Sequence, residues 1–290
     1  MLKAAGVEVY PILLSTRNHG KISANYPFLD YFNYVIVYAK IDDSLVLLDA
    51  TEPLCNFNEL PTRCLNDYGF IVQKKKEEWL QFHSNFVSEM NYNFIIKLNA
   101  NNDSIINRCK LMITGYDAID YRKKFANGYD KVKDNLIGKN SVLIDSIKFV
   151  NLYEIQKPFG INFKEMMRIG FVDNKIIISP FCFKAITENP LKMPERNYPI
   201  DMVYRKSKSY HSTIVIPNGY KIFSKPANIE LNDSLVHLQY MVDVDNESVD
   251  ITGVYEFKKD VYPKSDYFAL KEYFNKIVDK FNEKVVFVKE

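Results

Sequence analysis

The chain has 290 residues, of which 47% are apolar, 26% charged and 14% aromatic. This is the profile of a folded chain with a large core, and it excludes intrinsic disorder and collagen-like repeats. With 38 Lys and Arg against 36 Asp and Glu, the formal net charge is +2, which gives no overall pull toward nucleic acid or an anionic membrane. Length is compatible with one large domain or two ordinary ones. Four cysteines, Cys55, Cys64, Cys109 and Cys182, are too dispersed for a CxxC site and too few for a disulfide scaffold. No apolar run reaches the roughly 18 residues needed to cross a bilayer, and the N-terminus has no signal-peptide pattern.

Residues 1–6, Met-Leu-Lys-Ala-Ala-Gly, read as the last turn of a helix with Gly6 as its left-handed stop, before a β-branched and aromatic strand from Val7 to Thr16. Since so short a helix cannot stand alone, the expectation is that Met1 falls inside a helix that began upstream. A polar loop from Ser15 to Pro27 follows. Then Phe32–Lys40 and Leu45–Thr51 form a hairpin around Ile41-Asp42-Asp43-Ser44. If Lys40 pairs with Leu45, Ile36 faces Asp49, and Tyr34 lies diagonal to Asp49 on the same face, about 7 Å away between Cβ atoms.

Glu52 to Gly69 is loop-like, with Pro53, Pro61 and Gly69, and Lys74-Lys75-Lys76 ahead of Trp79 reads as a solvated turn. From Phe86 onward the texture is β. Strands are expected at Tyr92–Asn99, Ile105–Thr114, Ser141–Val150, Phe163–Val172, Lys175–Ser179, Ile200–Arg205, His211–Ile216, Ser234–Val244 and Ser248–Lys258, as in a sandwich. Two helices interrupt them. One runs from about Asp117 to Lys133, with Tyr121, Phe125 and Tyr129 on a stripe. The other follows Pro263, with Tyr267, Leu270, Phe274, Ile277, Val278 and Phe281 on one face. A last strand, Lys284–Val288, ends the pattern.

Three segments, LKAAGVEVYPILLSTRNHGKI, YPFLDYFNYVIVYAKIDDSLVLLDATEPL and LPTRCLNDYGFIV, together resemble the second half of the transglutaminase-like core of large bacterial proteins, which are papain-fold relatives. ENPLKMPERNYPIDM and IPNGYKI resemble the β-rich domain of unknown function that follows that core. The resemblance implies Cys-His-Asp chemistry: a thiolate at a helix N-terminus attacks an amide carbonyl, an imidazole moves the proton, and an aspartate orients the imidazole. The family's cysteine opens the helix that ends in LKAAG, upstream of Met1. Its histidine falls on Tyr34 in Phe32-Asn33-Tyr34-Val35-Ile36, and its aspartate on Asp49 of Asp49-Ala50-Thr51. A phenol, with an ordinary pKa of about 10, is a poor general base near neutrality.

No intact catalytic set is therefore expected, only the remnant positions Tyr34 and Asp49. Cys55 and Cys64 are in loops and Cys109 and Cys182 in apolar strand-like surroundings. His19 and His83 are in loops, His211 and His237 beside strand residues, with no metal-binding spacing. The best substitute pairing would join His19 to Cys55 or Cys64. No cofactor or metal site is expected.

The fold class that follows is α+β, mainly β. Residues 1–82 would be a truncated papain/transglutaminase-like core of β-hairpin and strands. Residues 83–290 would be an antiparallel β-sandwich-type domain of unknown function with a C-terminal helix, with residue 187 as a candidate point of subdivision. The implied function is that of a catalytically incomplete transglutaminase-like protein with a binding or structural role at the bacterial cell envelope. Its partners would be protein or glycan, with no nucleic acid and no transmembrane segment. A periplasmic or envelope location would require a signal upstream. The alternative is a fragment of an active cysteine peptidase or acyltransferase whose nucleophile lies upstream of Met1.

Overall fold

A computed structural model describes every residue except 1, 24, 27, 43, 58, 75, 83–85, 100–103 and 127–140, together with the side chains of 141 and 142. The chain divides into two compact units, residues 1–85 and 86–290. Both are β-rich, and the class is α+β, mainly β.

In the first unit, Leu2–Ala5 form one 3-10 turn that stops at Gly6, whose φ of +82° is a conformation a side chain would resist. Strands β1 (Glu8–Leu14), β2 (Tyr34–Ile41), β3 (Ser44–Leu48), β4 (Tyr68–Ile71) and β5 (Glu78–Gln81) form one sheet in the order β3-β2-β1-β4-β5. Pro11 lies in the central strand yet breaks no ladder. Its carbonyl accepts from the Val72 N–H on the β4 side, so its missing N–H also faces that side, where pairing with β4 begins only at Ile12. The β2–β3 hairpin has the expected register, Lys40 opposite Leu45, with Asp42 in the left-handed region that a two-residue turn demands. β4 and β5 fall in and after a stretch that reads as loop and turn. Their residues gain strand character from pairing with each other and from β4 lying against β1, and Phe32, Phe70 and Trp79 cluster on this sheet. Lys74 and Lys76 are exposed; Lys75 lies outside the described residues.

The second unit contains β6 (Val87–Leu98), β7 (Ser104–Ile113), helix α1 (Gly115–Ala126), β8 (Ser141–Val150), β9 (Phe159–Arg168), β10 (Gly170–Val172), β11 (Lys175–Ile178), β12 (Ile200–Asp201), β13 (Arg205–Val215), β14 (Tyr220–Ser224), β15 (Ile229–Asn232), β16 (Val236–Val244), β17 (Ser248–Phe257), β18 (Val261–Tyr262), helix α2 (Tyr267–Phe281) and β19 (Val285–Lys289). An eight-stranded sheet, β15-β16-β17-β13-β6-β7-β9-β8, and a four-stranded one, β10-β11-β19-β14, contribute to one buried cluster that runs from Met90 to Phe287, across residue 187.

The large sheet is antiparallel except at its centre, where β6 and β13 run parallel. The region is thus mainly antiparallel, as its antiparallel sandwich-type pattern suggests, with one parallel pair that the sequence does not signal. Two strands so far apart in sequence have no turn between them to set their sense, so the rest of the sheet sets it. β13 also begins earlier than the sequence indicates, at Arg205, because the backbone of this polar segment is paired on both sides. Helix α1 is described from Gly115 to Ala126, so the expected stretch to Lys133, with Tyr129, lies outside the described residues. Ser88 on β6 receives the Asp117 N–H on its Oγ, satisfying one free amide of the first turn of α1.

α2 lies as its stripe requires, with Tyr267, Leu270, Phe274, Ile277 and Phe281 buried. Phe281 meets Phe181, Tyr210, Tyr240 and Tyr255 with ring centroids 5.2–5.6 Å apart. Gly253 permits this. A Cβ there would stand 2.8 Å from the Phe281 ring and 3.1 Å from Phe181. Among the described residues no helix is long and apolar enough to cross a membrane.

Candidate functional site: a carboxylate saturated by neutral donors

The hairpin brings Tyr34 to Asp49, and the loop after β3 closes on them. The Tyr34 hydroxyl donates to Asp49 Oδ2 at 2.9 Å. Asp49 Oδ1 accepts from the backbone N–H of Thr51 at 2.8 Å and from its Oγ1 at 2.7 Å, an Asx turn that the Asp-Ala-Thr sequence favours. Cys64, on the 3-10 turn Thr62–Cys64, points its Sγ at Asp49 Oδ2 from 3.8 Å. Four donors thus occupy the roughly four acceptor positions of one carboxylate, whose side chain is 1% exposed.

Arg63 closes the outer side. Its Nη2 donates to the Tyr34 hydroxyl at 2.9 Å and to Thr51 Oγ1 at 2.6 Å, and it stands 3.8 Å from Asp49 Oδ2. The Tyr34 and Thr51 hydroxyls also touch each other. Both hydroxyl oxygens keep lone pairs with which to accept from the guanidinium. Nη1 reaches the buried Glu52 at 3.4 Å. Burial works against the Arg63 charge, but the hydrogen bond to Tyr34 and the nearby Asp49 outweigh it and raise the pKa.

The turn carrying Arg63 is itself held by the loop after β1. The Arg17 N–H donates to the Arg63 carbonyl at 2.9 Å, Arg17 Nη1 to the Leu65 carbonyl at 2.8 Å, and Asn66 Nδ2 to the carbonyls of Ser15 and Gly20. Asn33, beside Tyr34, exchanges two hydrogen bonds of 2.8 Å with Thr16. The segment Ser15–Gly20 therefore supports the site and contributes no reacting group to it.

The one thiol at the carboxylate is held in its protonated form. Burial, and then the neighbouring Asp49 carboxylate, push the Cys64 thiol up to about 12, so it stays protonated at neutral pH. Among the described residues no imidazole meets Cys64: His19 is exposed and its Nδ1 meets Ser15 Oγ at 3.1 Å. The sequence places Cys64 only in a loop, and the approach of its sulfur to Asp49 is a feature that the loop assignment does not reveal. Cys55, Cys109 and Cys182 are buried too, and burial raises the pKa of the last two. His211 is half exposed and meets Thr252, and His83 lies outside the described residues. Among the described residues no group of three His, Cys, Asp or Glu side chains could hold a metal.

Sequence reasoning brings Tyr34 and Asp49 together but misses Arg63, Cys64 and Glu52. Their only signal is that Arg63-Cys64 follows Pro61 in one of the matching segments, and nothing local aims either side chain at Asp49.

Comparison with known proteins gives likenesses of two kinds. A family model described as a domain of unknown function with a solved structure, DUF3858, matches residues 174–287. The crystal structure of a protein from Parabacteroides distasonis ATCC 8503, described as a candidate protease, has 8% sequence identity and a TM-score of 0.48. That match covers 99% of this chain and 41% of the other, so the chain spans about two fifths of that protein's length. No curated protein matches the sequence.

Proposed function

We propose that the chain is a catalytically incomplete member of the transglutaminase-like, papain-fold superfamily, acting as a binding or structural module at the bacterial cell envelope. The observation that carries this reading is the 2.9 Å hydrogen bond from the Tyr34 hydroxyl to Asp49, at the positions where the family resemblance implies an imidazole and its orienting carboxylate. The side-chain pairing is kept while its chemistry is lost. A phenol donating to a carboxylate and receiving from Arg63 cannot take a proton from a thiol and return it to a leaving amine. The elevated pKa of Cys64 supports the same conclusion. The envelope placement rests on the family resemblance.

The test is incorporation of a fluorescent amine into a glutamine-containing protein, with hydrolysis of amide substrates in parallel. The purified chain and Tyr34→His should both remain at background. Turnover by either would overturn the proposal. So would rapid alkylation of one cysteine by iodoacetamide at neutral pH, lost on replacing His19, since that would reveal a relocated catalytic pair.

A further inference from the structure

On the face of the eight-stranded sheet that points away from the core, β6, β7, β9 and β8 carry an open cavity of about 610 Å³ whose lining includes Arg108, Lys110, Lys148 and Lys164. The strand registers put these cations in a grid. One row runs Asn93, Lys110, Asn162, Lys148; the next places Arg108 opposite Lys164. With strands about 4.8 Å apart and rows about 7 Å apart, the four charges cover a patch about 10 Å across. β8 bulges between Asp145 and Lys148, and the extra residue delivers Lys148 instead of the inward-pointing Ile147 to the place opposite Asn162. The bulge thus adds a cation to the patch.

Two features make this more than a solvated basic face. Among the described residues none of the four cations makes a side-chain ion pair or hydrogen bond, although Asp145 lies opposite Lys164 in the register and is therefore the acid at the rim. Between Lys110 and Lys148, moreover, the Asn162 Oδ1 is buried with no hydrogen-bond partner, and a carbonyl oxygen withdrawn from water requires a donor. A matching ligand brings several oxyanions to the cations and an O–H or N–H to Asn162. The one aromatic residue in the lining, Phe163, is 4% exposed, so there is no platform on which a nucleic-acid base could stack.

We propose that this face binds an acidic polysaccharide, whose carboxylate or sulfate groups sit on Arg108, Lys110, Lys148 and Lys164 while the Asn162 side chain turns its unpartnered amide oxygen outward to a sugar hydroxyl. The inference rests on the reading of the chain as a binding module and names its ligand class. The amide-substrate assays report on that reading independently.

The test titrates fluorescein-labelled oligomers of polygalacturonate and of heparin, and single-stranded DNA of equal charge, with the full chain at about 50 and about 200 mM salt. At least one saccharide should bind at low salt and weaken at high salt. Arg108→Glu combined with Lys164→Glu should lower its affinity at least about tenfold with unchanged thermal melting, these side chains being exposed. Asn162→Ala should weaken it to a smaller degree at both salt concentrations, and Lys74→Glu in the first unit should leave it unaltered. Absence of saccharide binding at the lower salt would overturn the proposal. Equal loss in Lys74→Glu, or DNA binding as tight as the saccharide, would also overturn it. Should the double variant melt at lower temperature, Lys110→Gln with Lys148→Gln replaces it, under the same criteria.

Discussion

Each unit buries a carboxylate, and each keeps it by a different device. In the first, Asp49 is wrapped by the Tyr34 and Thr51 hydroxyls, a backbone amide and a thiol, while the one cation, Arg63, remains 36% exposed. In the second, Glu165 on β9 is fully buried and faces the Lys184 ammonium, itself 11% exposed, at 3.1 Å, with Asn107 Nδ2 at 3.5 Å. Lys184 also lies over the Phe163 ring, 5.7 Å from its centroid. Neutral donors share the work of holding a charge, so each is individually replaceable. A buried counter-ion is not, because its loss leaves a charge that water cannot reach.

The largest effect should come from breaking the buried pair on one side. Lys184→Met should cost about 3–5 kcal/mol, and the double change with Glu165→Leu should recover much of that, as read from urea unfolding midpoints. A double variant no more stable than Lys184→Met would show that the pair is not the unit that matters. Phe274→Ala, a cut in the apolar face of α2, is a yardstick free of charge and should cost about 3–5 kcal/mol by the same measurement. An effect below about 1 kcal/mol would mean that α2 is not held through that face.

At the shared carboxylate the expected loss is smaller. Tyr34→Phe removes one of four donors and leaves the Arg63 Nη2 its contact with Thr51, so it should cost about 1–3 kcal/mol. A loss as large as that in Lys184→Met would erase the contrast between the two devices.

The smallest effect concerns alkaline pH. The Cys64 thiol has its pKa raised from about 9 to about 12 by burial and by Asp49, so the fold favours the protonated form. Its contribution is complete below the unfolded pKa and is lost as pH rises from about 9 toward 12. Melting temperatures over that window should fall less steeply in Cys64→Ala than in the unaltered chain. Parallel curves would show that neither burial nor Asp49 raises the thiol pKa in the folded chain.

The features legible in the sequence are those fixed by neighbours along the chain. The Lys40–Leu45 register follows from a two-residue turn and strict alternation, and it alone brings Tyr34 to Asp49. The Gly6 stop and the apolar stripe of α2 are equally local, one set by backbone sterics and the other by a 3.6-residue period. What the tertiary structure decided is where distant pieces meet. Arg63 and Cys64 reach Asp49 because Arg17 and Asn66 tie their turn to the loop after β1. β4 and β5 become strands because partners are available, β13 joins β6 in parallel because the rest of the sheet sets its sense, and Glu165 meets Lys184, 19 residues later and beyond β10 and β11, with no periodic signal. Sequence spacing encodes turns, alternation and helical faces. Long-range pairing depends on which surfaces remain to be buried once those local choices are made, and only the folded chain settles that.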